Sequence, residues 1–195
     1  MNRSVHILKR LAGAAALALA LAAGARAAAA DAPTLEYQVK AAYVYNLAKF
    51  VDWPAQKFAT PEAPLIIGVV GDDPFNGYLD QLVQNKTING HPLEVRHFTL
   101  DADLKACHVL FVSRSRRNSL DSIFSATRAA SVLTVSEIEK FARRGGDVSL
   151  LVEDESVKLE VNLRAAQAAD LKISSKLLSI ARVIKDDRNS GGATP

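Results

Sequence analysis

Cysteine is nearly absent from this sequence of 195 residues, which contains only Cys107. An intramolecular disulfide is therefore excluded, and the stability of the fold has to come from packing. Cys107 lies inside the apolar run CHVLFVS, which predicts a buried small hydrophobic side chain. Pairing with a cysteine of another molecule is the alternative.

The sequence also lacks the motifs on which much catalysis and metal binding depends. It contains no G-x-S-x-G motif, no phosphate-binding loop and no Gly-rich dinucleotide fingerprint. Beyond residue 30, His91, His97 and His108 show no ligand spacing to another His, Cys or carboxylate, so structural roles are expected for them. We therefore predict a protein without catalytic residues, cofactor or metal.

Acidic residues are missing from the first 30 positions, which hold four basic side chains and an apolar run from Leu11 to Ala23. A-x-A sites follow at 25–27 and 28–30. This order is typical of a secretory signal peptide, and the run is short for a membrane span. We predict export to the periplasm with residues 1–30 removed, and an uncleaved anchor is the alternative.

Removal of residues 1–30 takes four of the 24 basic residues and leaves 20 against 21 acidic ones, a net charge of −1. A chain of this charge has no electrostatic attraction for nucleic acid, which we exclude as a partner. The remaining length is enough for one domain with its own core. We predict a single domain over 31–185 and a disordered polar tail over 186–195.

Short apolar segments alternate with helical patterns along this domain. Strands are predicted at 65–70, 92–98, 108–113 and 131–135, with a hairpin whose strands flank residues 154–156. Helices are predicted at 37–53, from Asp73 to about 84, at 119–129, at 136–145 and at 163–183, the last with a break near Lys172. The pattern predicts an α/β fold, in which a mostly parallel central sheet has helices on both faces and an antiparallel hairpin at one edge.

Two adjacent carboxylates, Asp72 and Asp73, follow the strand LIIGVV. Such a pair can form the acidic pocket of a phosphorylated receiver domain, but the strand at 108–113 ends in Ser113 and Arg114 rather than in an acceptor aspartate. Basic side chains there would repel Mg²⁺. We interpret Asp73 as a helix cap and Asp72 as a turn residue.

The helix predicted at 37–53 is apolar over most of its circumference. Four polar residues share one arc of about 120°, and Lys40 stands alone on the far side. Such a face is wider than one sheet covers, and Tyr43, Phe50 and Trp53 are common interface anchors. Burial under the C-terminal helix is one interpretation, and an interface with a partner or a second copy is the other.

Five sequence blocks together resemble the YfiR family of periplasmic proteins. They are KAAYVYNLAKFVDWP (40–54), IIGVVGDDPF (66–75), CHVLFVS (107–113), VLTVSEIEKFARRGG (132–146) and LEVNLRAAQAADLKISSKLLSIAR (159–182). They occur in the family's order and extend over roughly 39–182. Two departures are Asp170, where Gly is common, and Leu47, where Phe is common.

The resemblance implies a non-enzymatic regulator. Members of the family bind the periplasmic sensor region of an inner-membrane diguanylate cyclase and keep cyclic di-GMP low. An outer-membrane lipoprotein with an OmpA-like domain can draw the regulator away, and members can be homodimers. Redox control through an internal disulfide, which members with more cysteines can use, is excluded here because Cys107 is alone.

Carried over to this sequence, the resemblance implies that partner-binding residues lie mainly in the C-terminal block. These residues are Glu160, Asn162, Ile173, Ser174, Ser175 and Leu178, with Tyr43, Phe50 and Trp53 as a second group.

A different hypothesis is a periplasmic small-ligand-binding or sensing module of a signalling or uptake system. Ligands of α/β domains bind beyond the carboxyl ends of the strands. In this sequence that crevice would hold Gly71, Asp72, Ser113, Arg114 and Ser136. The arginines of the loop SRSRRNS would then face either solvent or an acidic ligand.

Overall fold

The computed structural model describes residues 33–184, so the predicted leader and the polar tail lie outside the described residues. The strands are β1 (Val51–Asp52), β2 (Leu65–Val70), β3 (Thr87–Ile88), β4 (His91–Phe98), β5 (Val109–Val112), β6 (Leu133–Ser136), β7 (Val148–Glu153), β8 (Ser156–Val161), β9 (Lys172–Ile173) and β10 (Arg182–Val183). The α-helices are α1 (Leu35–Leu47), α2 (Tyr78–Val83), α3 (Leu120–Thr127), α4 (Leu163–Ala168) and α5 (Ser175–Leu178).

Eight strands form one sheet in the order β10-β8-β7-β6-β5-β2-β4-β3. The central pairs from β4 to β7 are all parallel, whereas β7 and β8 form an antiparallel hairpin and β3 runs antiparallel to β4. The predicted α/β class is confirmed. The short strand β10, which was not predicted, pairs in parallel with the outer side of β8.

Alternation along β2 divides the core between the two faces of the sheet. Leu65, Ile67 and Val69 pack in the larger cluster with side chains of α1, α2, α4 and α5. Ile66 and Val70 point to the other face and pack with side chains of α3. Successive side chains of a strand point to opposite faces, so a strand that is apolar throughout has to be covered on both sides.

The hairpin turns on Asp154 and Glu155, which have φ angles of 49° and 58°. Positive φ at both central residues is the requirement of a type I′ turn, whose twist matches that of the strands it joins. The two strands pair from Val148 opposite Val161 to Glu153 opposite Ser156.

The prediction of a helix at 136–145 is wrong. Ser136 is the last residue of β6, and its hydroxyl donates to the carbonyl oxygen of Val112 (2.6 Å), which holds it in the sheet. Lys140 has a φ of 57°, and only a 3₁₀ segment, Ala142–Arg144, forms before Gly145. Ser136 and Glu139 have the spacing of a capping box, which would begin a helix at Ser136. Strand pairing instead determined the position of Ser136.

The bounds of two other predicted helices are also wrong. The helix predicted at 37–53 ends at Leu47, and the chain continues into β1. The helix predicted at 163–183 is divided into α4, β9, α5 and β10. The predicted break near Lys172 is present, because Asp170 adopts a φ of 56° directly after α4.

Asp73 stabilises a turn that precedes a helix shorter than predicted. Its two carboxylate oxygens accept from the backbone N–H groups of Phe75 (2.8 Å) and Gly77 (3.1 Å), and α2 begins only at Tyr78. Gly77 itself has a φ of 75°, which interrupts the helical backbone ahead of α2.

Candidate functional site

A two-stranded pairing joins the end of the first helix to the C-terminal block. Val51 of β1 lies opposite Ile173 of β9, and Asp52 lies opposite Lys172. The backbone N–H of Ser174 then donates to the carbonyl oxygen of Phe50 at 2.8 Å. Phe50 and the residues from Ile173 onward, which were expected to bind a partner in two separate groups, therefore meet, although the pairing itself could not be anticipated from either sequence block.

The local sequence explains why the chain leaves the helix at this point. Turn-type hydrogen bonds from Lys49 to Asn46 and from Phe50 to Leu47 close the end of α1. Pro54 follows shortly afterwards, and the residue before a proline is disfavoured in the helical region. The extended backbone at Val51–Asp52 is thus available for pairing with β9.

The segment after β9 is held by its own cap. Ser174 lies at the N-cap of α5, where its hydroxyl accepts from the N–H of Lys176 (3.2 Å). Leu177 is buried in the core below, which leaves Ile173 and Leu178 half-buried and Ser175 exposed. We call the area formed by Phe50, Ile173, Ser174, Ser175 and Leu178 the β1–β9 surface.

Glu160 and Asn162 do not lie on this surface, and each has a structural partner. Glu160 is only 3% exposed, and its carboxylate accepts from the guanidinium of Arg143 at 2.9 Å. Asn162 caps α4 by accepting from the N–H of Ala165 (3.1 Å) and donates to the carbonyl oxygen of Ala142 (2.9 Å).

Tyr43 also lies apart from the β1–β9 surface. Its hydroxyl donates to the carbonyl oxygen of Val157 in β8 at 3.3 Å, so it faces the hairpin. Helix α1 is covered by the sheet and by α2, and not by one long C-terminal helix.

A cavity of about 590 Å³ lies next to the β1–β9 surface, at the amino ends of β2 and β4. Its lining is formed mainly by Ala48, Val51, Asp52, Trp53, Phe58, Leu65, Ile88 and His91. The ring of Phe58 stacks between His91 and His108, with centroid distances of 3.8 and 4.4 Å. The indole N–H of Trp53 is buried without a hydrogen-bond partner among the described residues.

The crevice expected at the carboxyl ends of the strands is filled around Ser113 and Ser136, whereas Arg114 lines a cavity of about 440 Å³ together with Glu137. Ser113 and Ser136 are buried, at 5% and 0% exposure. The hydroxyl of Ser115 accepts from the N–H of Asp72 at 3.0 Å, and the 3₁₀ segment Arg114–Ser119 lies against Gly71, where a Cβ atom would come within 2.6 Å of that hydroxyl. Gly71 also has a φ of 98°, which makes glycine the suitable residue for this close approach.

Beside this crevice lies a charged network that was not anticipated. Lys40 is fully buried in α1, and its ammonium binds the carboxylates of Glu36 and Glu137. Glu137, directly after β6, also accepts from the hydroxyl of Tyr37 (3.0 Å) and pairs with Arg114 (3.1 Å). Burial and then the charge of Glu137 raise the pKa of Tyr37. The solitary position of Lys40 on an apolar helix face was the one sequence signal for this network.

Three other side chains are brought together only by the fold. Ligand atoms of Asp73, Asp80 and His97 lie within 4.8 Å of one another. Both oxygens of Asp73 already accept backbone N–H groups, and His97 lies 3.6 Å from Asp80. These contacts account for the cluster as part of a turn and a contact between His97 and Asp80, and we assign no metal to it.

Comparison with known proteins gives the family. The model of the YfiR/HmsC-like family matches residues 37–182, which include all of the elements described above apart from the first two residues of α1 and the last of β10. The chain belongs to this family. YfiR/HmsC-like proteins are periplasmic regulators rather than enzymes, and along residues 33–184 of this member no helix is long and apolar enough to span a bilayer.

Two solved structures are distantly similar to this YfiR/HmsC-like chain. A conserved domain protein from Vibrio cholerae O1 biovar El Tor is 14% identical, with a TM-score of 0.46 over 62% of this chain and 55% of its own. An ABC domain in complex with L-Trp from Streptococcus pneumoniae is 12% identical, with a TM-score of 0.47 over 72% of this chain and 59% of its own.

The chain thus spans less than two thirds of either structure, and similarity at this level assigns no function to it. No protein of curated function matches the sequence.

Proposed function

We propose that this chain, after removal of residues 1–30, binds the periplasmic region of an inner-membrane signalling protein and represses it. A diguanylate cyclase is the partner we favour, so that the regulator lowers cyclic di-GMP. The observation that carries the proposal is the β1–β9 surface, because it brings Phe50 of one group implied by the family resemblance next to Ile173, Ser174, Ser175 and Leu178 of the other.

The chemistry of this surface suits a protein partner. Phe50, Ile173 and Leu178 are half-buried apolar side chains around a fixed backbone pairing, and Ser175 is exposed beside them. An apolar centre with a polar rim is the usual composition of a protein interface. Because backbone hydrogen bonds and the Ser174 cap already order the segment, little conformational entropy would be lost on binding.

The test is affinity capture from detergent-solubilised membranes with the tagged chain from Asp31 to Pro195. We expect recovery of a cyclase with a periplasmic domain. Ile173→Asp and Ser175→Arg should each lower that recovery at least tenfold and raise cellular cyclic di-GMP. Ser175 is exposed, so its substitution leaves the fold intact.

Leu100→Asp is the matched control, because Leu100 is an exposed apolar residue beyond the carboxyl end of β4. It should leave recovery unchanged. Equal recovery of the cyclase with all three variants would refute the role of the β1–β9 surface, and recovery of no membrane protein would refute the repressor itself.

The proposal includes two further partners. An outer-membrane lipoprotein with an OmpA-like domain would compete for the regulator, and a second copy would form a homodimer. A competition experiment with the purified OmpA-like domain measures the first, since displacement of the cyclase should follow its concentration. Sedimentation of the exported protein measures the second.

A second candidate function is the binding of a small ligand in the cavity beside β1. The cavity of about 590 Å³ has the size of a ligand pocket, and it shares Val51 and Asp52 with the pairing that forms the β1–β9 surface. A ligand there would change the environment of Trp53, which is the single tryptophan of the chain.

A small-molecule fraction of periplasmic extract should then both shift the fluorescence emission of Trp53 and raise the melting temperature of the protein. An emission that no small-molecule fraction changes would remove this candidate.

A further inference from the structure

A second apolar groove lies on the hairpin side of α1, away from β9. It has a volume of about 580 Å³, and its floor and walls are formed by Leu35, Val39 and Tyr43 of α1 and by Val152 and Val157 of the hairpin. We call it the α1–hairpin groove. The three α1 residues are spaced four apart, which places them along one side of the helix.

The apolar side chains of the groove are unusually accessible for their size. Leu35 is 75% exposed, Val152 is 49% exposed and Val39 is 37% exposed. They account for three of the five large apolar side chains that are exposed within residues 33–184. Contiguous exposed apolar surface of this kind marks an interaction site more often than scattered single residues do.

The charged residues that line the groove have one sign. Glu36 and Glu155 line it, and no basic side chain is among its described lining residues. The ammonium of Lys40 is buried and is shared between Glu36 and Glu137, and Arg114 and Arg117 line a neighbouring cavity that shares Val152 with the groove. Lys158 lies on β8 between Val157 and Leu159, which face the α1 side, so alternation directs Lys158 to the opposite face of the sheet.

The charges of the lining residues distinguish between the kinds of molecule that could bind in this apolar groove. A second copy docked symmetrically through the same groove would bring the lining carboxylates of both copies together, and no basic side chain is among the described lining residues. Carboxylates at the rim are likewise repelled by the anionic headgroups of a membrane surface. A polypeptide segment with apolar anchors between Lys or Arg residues fits both the lining and the rim.

We propose that the α1–hairpin groove is a docking site for a segment of a partner protein that carries apolar side chains flanked by basic residues. The groove is separate from the β1–β9 surface, so the regulator presents two faces and can hold two protein segments at once. This inference does not depend on which membrane protein is repressed.

The test uses the exported protein and two labelled peptides of about 16 residues that share one leucine stripe. Lysines flank the stripe in the first peptide and glutamates flank it in the second. Fluorescence anisotropy should show binding of the lysine peptide at least tenfold tighter than of the glutamate peptide, with the preference lost at high salt. Equal affinity for the two peptides overturns the proposal.

Variants assign the binding to the groove. Val152→Ser should weaken binding of the lysine peptide at least fivefold, and Glu155→Gln should reduce the preference for lysine over glutamate. Leu100→Ser is the matched control at an exposed apolar residue elsewhere, and Ile173→Asp tests independence from the β1–β9 surface. Neither of these two should alter peptide binding, and an effect of Leu100→Ser equal to that of Val152→Ser overturns the proposal.

Self-association is checked on the same samples by analytical ultracentrifugation. We expect Val152→Ser to leave the oligomeric state of the exported protein unchanged. Conversion of a dimer into a monomer by this substitution would identify a second copy as the occupant and overturn the assignment to a basic segment. If Ile173→Asp abolishes capture of the membrane protein but leaves the affinity for the peptide unchanged, the two surfaces bind independently of each other.

Discussion

At the scale of single residues, the pKa values of two buried titratable side chains are shifted in opposite directions. Asp147 is 4% exposed, and burial raises its pKa from 3.8 to about 6 although Thr134 donates to it twice. His108 is 3% exposed, and burial, followed by the positive charge of Lys57, lowers its pKa from 6.5 to about 4. Both groups therefore favour their neutral form in the folded protein.

The contributions of these two residues to the free energy of unfolding should consequently oppose each other between pH 4 and 6. In that window folded Asp147 binds more protons than the unfolded chain, so its contribution falls as the pH rises. Folded His108 binds fewer protons than the unfolded chain, so its contribution grows as the pH rises from 4 towards 6.5. Each effect amounts to no more than about 3 kcal/mol, and the two oppose each other.

Substitution of either residue should reveal the pH dependence that the other gives to the free energy of unfolding. In Asp147→Asn the free energy of unfolding should rise with pH from 4 to 6.5, whereas in His108→Asn it should fall from pH 4 to 6. Asn at 108 retains an acceptor for the N–H of Ile66, which His108 accepts at 3.1 Å. Urea denaturation at several pH values measures both, and identical slopes in the two variants would contradict the assignment.

At the scale of elements, α1 is fastened to the end of β6 by the contact between Lys40 and Glu137. Removing Lys40 leaves Glu137 with Arg114 and Tyr37 but without its buried partner, so we expect Lys40→Met to destabilise the protein by about 2 kcal/mol. Glu137→Gln should destabilise it as well. The double variant should lose less than the sum, because each single variant already removes the contact between Lys40 and Glu137.

A double-mutant cycle from chemical denaturation gives the coupling between the two residues, which we expect to be about 1–3 kcal/mol. Glu139→Gln is a control, because Glu139 is an exposed acid close to Glu137 in sequence. Additive effects of Lys40→Met and Glu137→Gln would show that the contact does not fasten the helix.

Asp170 determines where α4 ends. With a φ of 56° it adopts the left-handed conformation that glycine reaches without strain, which explains why Gly is common at this position of the family. Asp170→Gly should raise the free energy of unfolding by up to about 1 kcal/mol, and Asp170→Ala should lower it by a similar amount. Thermal denaturation of the three proteins checks the order, and a less stable Gly variant would contradict it.

The strands were largely predictable and the contacts between distant segments were not. LIIGVV was predicted at 65–70 and occurs there, because an apolar β-branched run specifies a strand without reference to its neighbours. The pairing of Val51 with Ile173 joins two-residue strands more than 100 positions apart, which leave no periodic pattern. The predicted helix at 136–145 failed for the same reason, since the hydrogen bond to Val112 is a tertiary contact.

At the scale of the whole molecule, the segment from Lys172 to Val183 contacts two distant parts of the fold. Through β9 it pairs with β1 at the end of α1, and through β10 it covers part of the outer side of β8. Leu177, between the two strands, is buried in the main core. One short stretch of chain therefore supports both the β1–β9 surface and one edge of the sheet.

A chain ended at Leu171 should be less stable by more than about 3 kcal/mol, from the loss of Leu177 burial and of both strand pairings. It should also self-associate, because an uncovered strand edge pairs with other chains. A chain ended at Ile184 retains every element of the described structure and is the control. Size-exclusion chromatography and thermal melting compare the two, and equal behaviour would show that the segment has no such role.

The burial of Cys107 has a practical consequence. Its side chain is fully enclosed, and burial raises the pKa of the thiol to about 12, so almost no thiolate exists at neutral pH to react with alkylating reagents. A cysteine introduced at Ser175 or at Val152 would then be the thiol that a maleimide or nitroxide reagent modifies. The native thiol need not be removed first, and a doubly labelled chain would report the distance between the two surfaces by pulsed electron paramagnetic resonance.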